Sequence, residues 1–161
     1  MLEFTLNGAA VSLDVPGEVP EDASLLHVLR GPLGLSGPRF GCGVEQCGSC
    51  MVLVDGKPTP SCTFAVSAAG GRAVVTLEGL GTLASPHPLQ AAFLAEQAGQ
   101  CGWCLPGILV SAAALLAANP DPDDGAIRRA LDSHLCRCGS HNRIVRAVRR
   151  AAKAIREGTP A

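Results

Sequence analysis

Eight cysteines in two groups of four constrain this 161-residue chain more than any other feature of its sequence. The first group has the spacing C-x4-C-x2-C-x11-C and consists of Cys42, Cys47, Cys50 and Cys62. The second joins a C-x2-C pair to a C-x-C pair, with 31 residues between them, and consists of Cys101, Cys104, Cys136 and Cys138. In a reducing compartment, cysteines clustered in this way are more often metal ligands than disulfides. The sequence therefore predicts two metal sites.

The composition indicates what kind of protein surrounds these metal sites. Hydrophobic residues make up 47% of the chain, but aromatic residues only 3%, so we expect an aliphatic core. A net charge of −1 argues against a nucleic-acid partner. Most Lys and Arg residues lie between Arg128 and Arg156. We interpret this basic stretch as a solvated helix face, and a docking surface is the alternative.

The N-terminal residues show no basic region followed by a long apolar run, and no later segment approaches the length of a membrane span. We therefore expect no signal peptide and no direct membrane insertion. The expected location is cytoplasmic, with any association elsewhere made through a partner.

Two kinds of periodicity divide the chain. Up to residue 78, alternating apolar residues and the turns Asn7-Gly8 and Asp55-Gly56 predict strands, with a return strand around residues 62–64 and a short helix after Ser24. From residue 79 the period becomes helical and predicts four helices, the first capped by Ser85. The pattern predicts an α+β protein, with a mixed sheet in residues 1–78 and a compact helical bundle in residues 79–161.

The first cysteine group has the spacing of plant-type [2Fe–2S] ferredoxins. Three of its cysteines lie in the glycine-rich loop from Phe40 to Cys50. Glycine permits the backbone conformations that a loop needs to wrap a cluster and to direct its amide N–H groups at sulfur. We therefore predict a [2Fe–2S] cluster here, and we interpret Arg39 as a surface charge, with screening of the cluster as the alternative.

The second group is less specific by spacing alone. Pro106 fits the first turn of a helix, so Cys101 and Cys104 lie at a helix N-terminus that favours negative charge. Spacing favours an iron–sulfur cluster here but leaves a structural zinc site open. We interpret Trp103 as a packing anchor and His134 as a structural or surface residue.

Taken together, these motifs resemble the iron–sulfur subunit of molybdenum hydroxylases, the xanthine dehydrogenase and aldehyde oxidoreductase family. The resemblance is carried by all eight cysteines, by the run from Gln100 to Gly107 and by the run from Leu135 to Cys138. It implies an N-terminal β-grasp domain of the plant ferredoxin type, a C-terminal four-helix bundle and a [2Fe–2S] cluster in each.

The resemblance also implies partners. A large molybdenum-binding subunit would hold the molybdenum pterin cofactor, with Gln100 and Cys138 contacting it and Cys138 also an iron ligand. The helical-domain cluster would lie next to this cofactor and the plant-type cluster nearer the acceptor. The chain would thus be the iron–sulfur subunit of an oxidoreductase, with no catalytic residues or active site of its own.

Some positions depart from the commonest pattern of the family. Trp103 and Leu105 stand where Phe and Thr are usual, and residues 139–144 read Gly-Ser-His-Asn-Arg-Ile. This variant is more similar to the isoquinoline oxidoreductase and nicotinate dehydrogenase branch, which acts on N-heterocycles and some aldehydes. The acceptor is then a flavin subunit or a cytochrome c domain. Two alternatives stay open: a free-standing two-cluster carrier ferredoxin, and a zinc-stabilised binding module with one redox cluster.

Overall fold

The computed structural model describes residues 1–159, and its first half is a five-stranded mixed sheet. The strands are β1 (Leu2–Leu6), β2 (Ala9–Leu13), β3 (Met51–Val54), β4 (Lys57–Pro60) and β5 (Ala73–Val75). They lie in the order β2-β1-β5-β3-β4. β1 and β5 are parallel, and the other neighbouring pairs are antiparallel.

Two tight hairpins set the register of the sheet. Asn7 and Gly8 have φ of 51° and 84°, and Asp55 and Gly56 have φ of 50° and 77°. Positive φ at both central residues is the conformation that suits the twist of a two-residue hairpin. Because the second turn is so short, its return strand begins at once, with Val54 opposite Lys57. The return strand that the sequence predicted around residues 62–64 therefore lies too late, and that segment is a turn.

One helix, α1 (Leu25–Arg30), covers the sheet. It begins after Ser24, whose Oγ accepts a hydrogen bond from the N–H of His27 at 3.2 Å. This is the N-cap that the sequence predicted. The helix buries its apolar residues in one core with side chains from the sheet: Phe4, Leu6, Leu13, Val52, Val54 and Val74.

Residues 79–159 contain four α-helices that pack around a separate core. The helices are α2 (Pro88–Ala95), α3 (Leu105–Ala118), α4 (Asp124–Ala130) and α5 (His141–Glu157). The predicted cap at Ser85 is wrong, because His87 caps α2 with Pro88 as first helical residue. His87 Nδ1 accepts from Leu89 N–H at 3.1 Å, and Gln90 Oε1 accepts from His87 N–H at 2.8 Å. This reciprocal pair is a capping box.

Helix α3 joins the two halves. It contacts β3 of the sheet as well as α2 and α4, so it is covered on several sides. This explains why its sequence, LPGILVSAAALLAA, is apolar almost all round. The burial of all four residues of β3 has the same cause.

Helix α5 is amphipathic, and much of its charge is paired within the chain. Arg146 and Arg150 both reach Glu96, at 3.3 and 3.4 Å. Arg149 reaches Asp124, and Arg156 reaches Asp121 at 2.6 Å. Such exposed pairs contribute about 0–1 kcal/mol each, so they describe a solvated face. Across residues 1–159, no helix combines the length and the apolar character needed to cross a bilayer.

Candidate metal centres

The first four cysteines lie around one end of the β3–β4 hairpin. Cys50 directly precedes β3, and Cys62 follows β4 after one residue. Because Met51 pairs with Pro60, the hairpin brings the segments before β3 and after β4 side by side. Ser61 fastens them, with its N–H and its Oγ both donating to Cys50 O, at 3.3 and 2.6 Å.

Backbone amides surround the sulfur atoms of the first loop. Cys42 Sγ accepts from the N–H groups of Val44 at 3.4 Å and Gln46 at 3.2 Å. Cys47 Sγ accepts from Cys42 N–H at 3.3 Å. The turn that directs these amides needs positive φ at Gly43 (72°) and Glu45 (62°). The amides, Val44 N–H foremost, lower the pKa of Cys42 to about 7, so the site favours thiolate.

Cys50 and Cys62 form the second pair of this group. Burial, together with the neighbouring Cys62 thiol, raises the pKa of Cys50 to about 11. A buried thiol held against a second thiol resists ionisation in the free chain. A bound metal cation reverses that preference, because a coordinating thiol is deprotonated outright.

The second group lies where α3 begins and where α4 leads into α5. Cys104 is the residue before α3, and Cys136 and Cys138 lie in the segment between α4 and α5. Burial and the adjacent Cys136 raise the pKa of Cys104 to about 12. The pKa of the exposed Cys101 is lowered by Trp103 N–H and then by the Cys138 thiol. In this group the thiol of Cys104 interacts most strongly with Cys136 and that of Cys101 with Cys138, and weaker charge interactions join Cys101 with Cys104 and Cys136.

Cys136 accepts its own set of hydrogen bonds. Its burial opposes ionisation, but hydrogen bonds, with Ser140 N–H the strongest, outweigh it and lower the pKa of the thiol. Both cysteine groups thus combine amide donors to sulfur with adjacent thiols, the donor set of an iron–sulfur cluster.

The pairing bears on the kind of metal. A structural zinc gathers four ligands around one ion at about 2.3 Å. A [2Fe–2S] cluster needs two cysteines at each of two irons, and the pairs Cys42/Cys47, Cys50/Cys62, Cys104/Cys136 and Cys101/Cys138 fit that requirement.

The two predicted cofactor-contact residues lie on either side of Cys101. Gln100 is exposed and precedes it, and Cys138 is half-buried beside its thiol. Gln100 also lines a groove of about 850 Å³ in the helical half. Leu83 and Leu94, both exposed, line the same groove, and Arg143 lies at it too.

Three features that sequence reasoning missed lie where the halves meet. Arg39 Nη1 donates to Gly102 O at 2.8 Å, and Leu135 N–H donates to Cys47 O at 3.1 Å. His134 is buried, its Nε2 lies 2.9 Å from Ser111 Oγ, and burial lowers its pKa to about 4, so it is neutral. The only sequence signal was their position within three residues of a cysteine.

Comparison with known proteins gives two family matches. Residues 4–73 match the 2Fe-2S iron-sulfur cluster binding domain, and residues 76–149 match the [2Fe-2S] binding domain. The chain is 49% identical to a nicotinate dehydrogenase subunit of Pseudomonas putida, over 91% of this chain and 97% of that one. It is 48% identical to the alpha subunit of isoquinoline 1-oxidoreductase of Brevundimonas diminuta, over 95% and 98% of the two chains.

Solved structures agree with these matches. Quinoline 2-oxidoreductase from Pseudomonas putida 86 aligns with a TM-score of 0.90 at 34% identity, covering 98% of this chain and 96% of that one. Aldehyde oxidoreductase from Desulfovibrio gigas aligns with a TM-score of 0.91 at 38% identity, covering 99% of this chain and 18% of that one. The similarity thus extends over both halves and both cysteine groups.

Proposed function

This chain belongs to the iron–sulfur subunits of the molybdenum hydroxylase family, and we propose that it carries electrons, one at a time, from a molybdenum centre on a larger subunit to an acceptor. The observation that carries the proposal is that the eight cysteines form two groups, in each of which thiols lie beside one another and accept hydrogen bonds from backbone amides. No residue of the chain is assigned a catalytic role.

The proposed ligands fall in two sets. The first [2Fe–2S] cluster is held by Cys42, Cys47, Cys50 and Cys62. The second is held by Cys101, Cys104, Cys136 and Cys138. The clusters, when bound, supply one-electron redox chemistry. The chain supplies burial, N–H bonds to sulfur and nearby charge, which set the potential at which each cluster accepts an electron.

The chemistry served by this transfer lies on the partner. The molybdenum centre, when bound to the large subunit, would supply the chemistry that hydroxylates a substrate carbon with oxygen from water, a two-electron oxidation. The two clusters held by this chain would each accept one electron at a time, which suits the removal of those two electrons in turn. The names of the nicotinate and isoquinoline relatives favour an N-heterocycle as substrate, with an aldehyde as the alternative. The large subunit holds most of the molybdenum pterin cofactor in this proposal.

The proposed direction of transfer is the one that membership of the family implies. Gln100 and Cys138 are proposed to contact the pterin, as the matching positions do in the family, and the exposure of Gln100 and the position of Cys138 beside Cys101 support this proposal. The second cluster then receives electrons first and the first cluster delivers them. The acceptor is a flavin subunit or a cytochrome c domain.

The same proposal includes the finer organisation of the chain. We assign residues 1–78 to a β-grasp ferredoxin-like domain and residues 79–161 to a four-helix bundle that binds the second cluster. The presence of one apolar core in each half supports this division. A cytoplasmic location is proposed for the complex, with no nucleic-acid partner.

Metal counting tests the proposal. The anaerobically purified chain should contain four irons, and dithionite reduction should give two distinct EPR signals. Two irons and one zinc would contradict it, as would a colourless protein without iron. Matched variants sharpen the test, because Cys62→Ser should remove only the first-cluster signal and Cys136→Ser only the second. Loss of both signals in both variants, from a folded chain, would contradict separate ligand sets.

A further inference from the structure

Arg39 is fastened to the first cysteine loop by its backbone. Its N–H donates to Ser49 O at 3.0 Å, and Ser49 is the buried residue directly before Cys50. The start of the Arg39 side chain is therefore fixed relative to the loop that we assign to the first cluster.

The guanidinium of Arg39 reaches the other loop. Its Nη1 donates to Gly102 O at 2.8 Å, and its Cζ lies 5.1 Å from the centre of the Trp103 ring. Gly102 and Trp103 are the two residues between Cys101 and Cys104. A planar guanidinium can donate in its plane while its face stacks on an aromatic ring, whereas the ammonium of Lys has no planar face to stack.

This contact spans a seam where the loops also meet through backbone. Leu135 N–H donates to Cys47 O at 3.1 Å, and Leu135 directly precedes Cys136. Each loop thus offers a cysteine ligand within one residue of the seam. The Arg39 contact is the part of this seam that a side-chain substitution can remove.

The charge of Arg39 has a second effect. Its partners are a carbonyl and a ring, and among residues 1–159 no carboxylate forms an ion pair with it. A permanent cation beside a cluster stabilises the reduced form, which carries one more negative charge. The guanidinium lies at the second loop, so this effect is larger there.

We propose that Arg39 is a positioning residue that holds the two cluster loops together and raises the reduction potential of the second cluster. The step it serves is a one-electron exchange, in which the reduced second cluster is oxidised and the oxidised first cluster is reduced, with no bond made or broken. The inference rests on the ligand assignment of the proposed function, which iron counting tests separately.

The test uses the full cluster-bearing chain and the variants Arg39→Gln and Arg39→Lys, with Arg72→Gln as control. Arg72→Gln removes the same charge as Arg39→Gln, but Arg72 lies at the β3–β4 turn, where it pairs with Asp55. EPR redox titration gives the potential of each cluster. The magnetic coupling between the two reduced clusters reports the distance between them, a quantity that an activity assay does not measure.

Arg39→Gln should keep four irons. At the midpoint potential of the parent's second cluster, the ratio of oxidised to reduced second cluster in this variant should be about tenfold higher than in the parent, which corresponds to a midpoint lowered by about 59 mV. Its magnetic coupling should also change. Arg39→Lys keeps the positive charge, so its ratio of oxidised to reduced second cluster should stay within about twofold of the parent ratio, whereas its magnetic coupling should change. The proposal would be overturned if Arg39→Gln and Arg72→Gln had the same potential of the second cluster or the same magnetic coupling between the clusters. It would also be overturned if Arg39→Lys kept the magnetic coupling of the parent.

Discussion

Glu78 shows how a single carboxylate can join distant parts of this chain. It accepts hydrogen bonds from the N–H groups of Gly37 at 2.6 Å and Ser36 at 3.1 Å. It also accepts from Thr76 Oγ1 at 2.6 Å. These bonds fasten the segment that enters the first cysteine loop to the segment that follows β5. The carboxylate therefore fixes the approach to that loop.

Hydrogen bonding makes the contribution of Glu78 depend on pH. Burial alone would raise the pKa of Glu78, but the bonds from Thr76 Oγ1, Gly37 N–H and Ser36 N–H outweigh burial and hold the pKa below its ordinary value of 4.5. The unfolded chain then binds more protons near pH 4 than the folded chain. The stability from Glu78 is present above pH 4.5 and is lost as the pH falls through the folded pKa.

Glu78→Gln should therefore lower the free energy of unfolding at pH 7 by about 0.5–1 kcal/mol, because a neutral amide accepts more weakly than a carboxylate and Glu78 is exposed to solvent that screens its charge. Urea unfolding of parent and variant, followed by circular dichroism from pH 7 to pH 3.5, measures this difference. It should be constant above pH 5 and shrink below pH 4.5. The exposed Glu21 gives the control variant Glu21→Gln. An equal loss in both variants, or a difference that grows in acid, would contradict the assignment.

At the scale of the element, α3 is placed by a backbone contact with the first cysteine loop. A Cβ atom added at Gly107 would lie 2.0 Å from Gly48 O, so the two backbones touch where a side chain would stand. Gly48 itself has φ of 71° and faces His134. The first turn of α3 and the loop that contains Cys47 are thus in direct contact.

Gly107→Ala should destabilise the protein, although alanine normally stabilises a helix by about 0.5–1 kcal/mol relative to glycine. Neither backbone can move without disturbing a cysteine loop, so we expect a loss of about 1–3 kcal/mol. In α4, a Cβ at Gly125 would meet only side-chain atoms of Arg129 and Asp123, at 3.2 and 3.3 Å. Urea unfolding should therefore show opposite signs for Gly107→Ala and Gly125→Ala. Stabilisation by both substitutions would refute the contact.

The elements themselves were largely predictable, because their signals are local. The hairpin residues Asn7-Gly8 and Asp55-Gly56 and the cap Ser24 determine their turns and helix start within a few residues. The sequence predicts the return strand too late because Cys62 falls within its apparent pattern, whereas the length of the turn determines where pairing begins. The sequence predicts the wrong cap for α2 because histidine is a less usual cap than serine.

At the scale of the whole molecule, the two cysteine groups were recognisable from the sequence, but the contacts between their loops were not. Cysteine spacing is a local signal that carries chemistry, so all eight candidate ligands were named from sequence. The contacts of Arg39 with Gly102 and of Leu135 with Cys47 join residues far apart in the chain. Such contacts depend on how α3 packs against β3, and no spacing or periodicity encodes that packing.

The groove of the helical half is the surface that we expect the large subunit to cover. Leu83 is fully exposed and Leu94 is 79% exposed, and both line the groove with the proposed pterin contact Gln100. An exposed apolar patch beside a cofactor contact is typical of a protein interface. Neither leucine adjoins a cysteine, so substitution there should leave cluster binding intact.

Leu83→Glu and Leu94→Glu should each weaken association with the co-expressed large subunit at least about tenfold, or about 1.4 kcal/mol, because the interface would then remove water from a charged carboxylate instead of from an apolar side chain. Iron content should stay at the parent value. Ile155→Glu is the control, since this exposed position lies twelve residues, about 18 Å, along α5 from the groove residue Arg143. Titrating the tagged chain with the large subunit measures each affinity. Unchanged binding by both leucine variants would place the interface elsewhere, and a parent chain that binds no large subunit would favour a free-standing carrier.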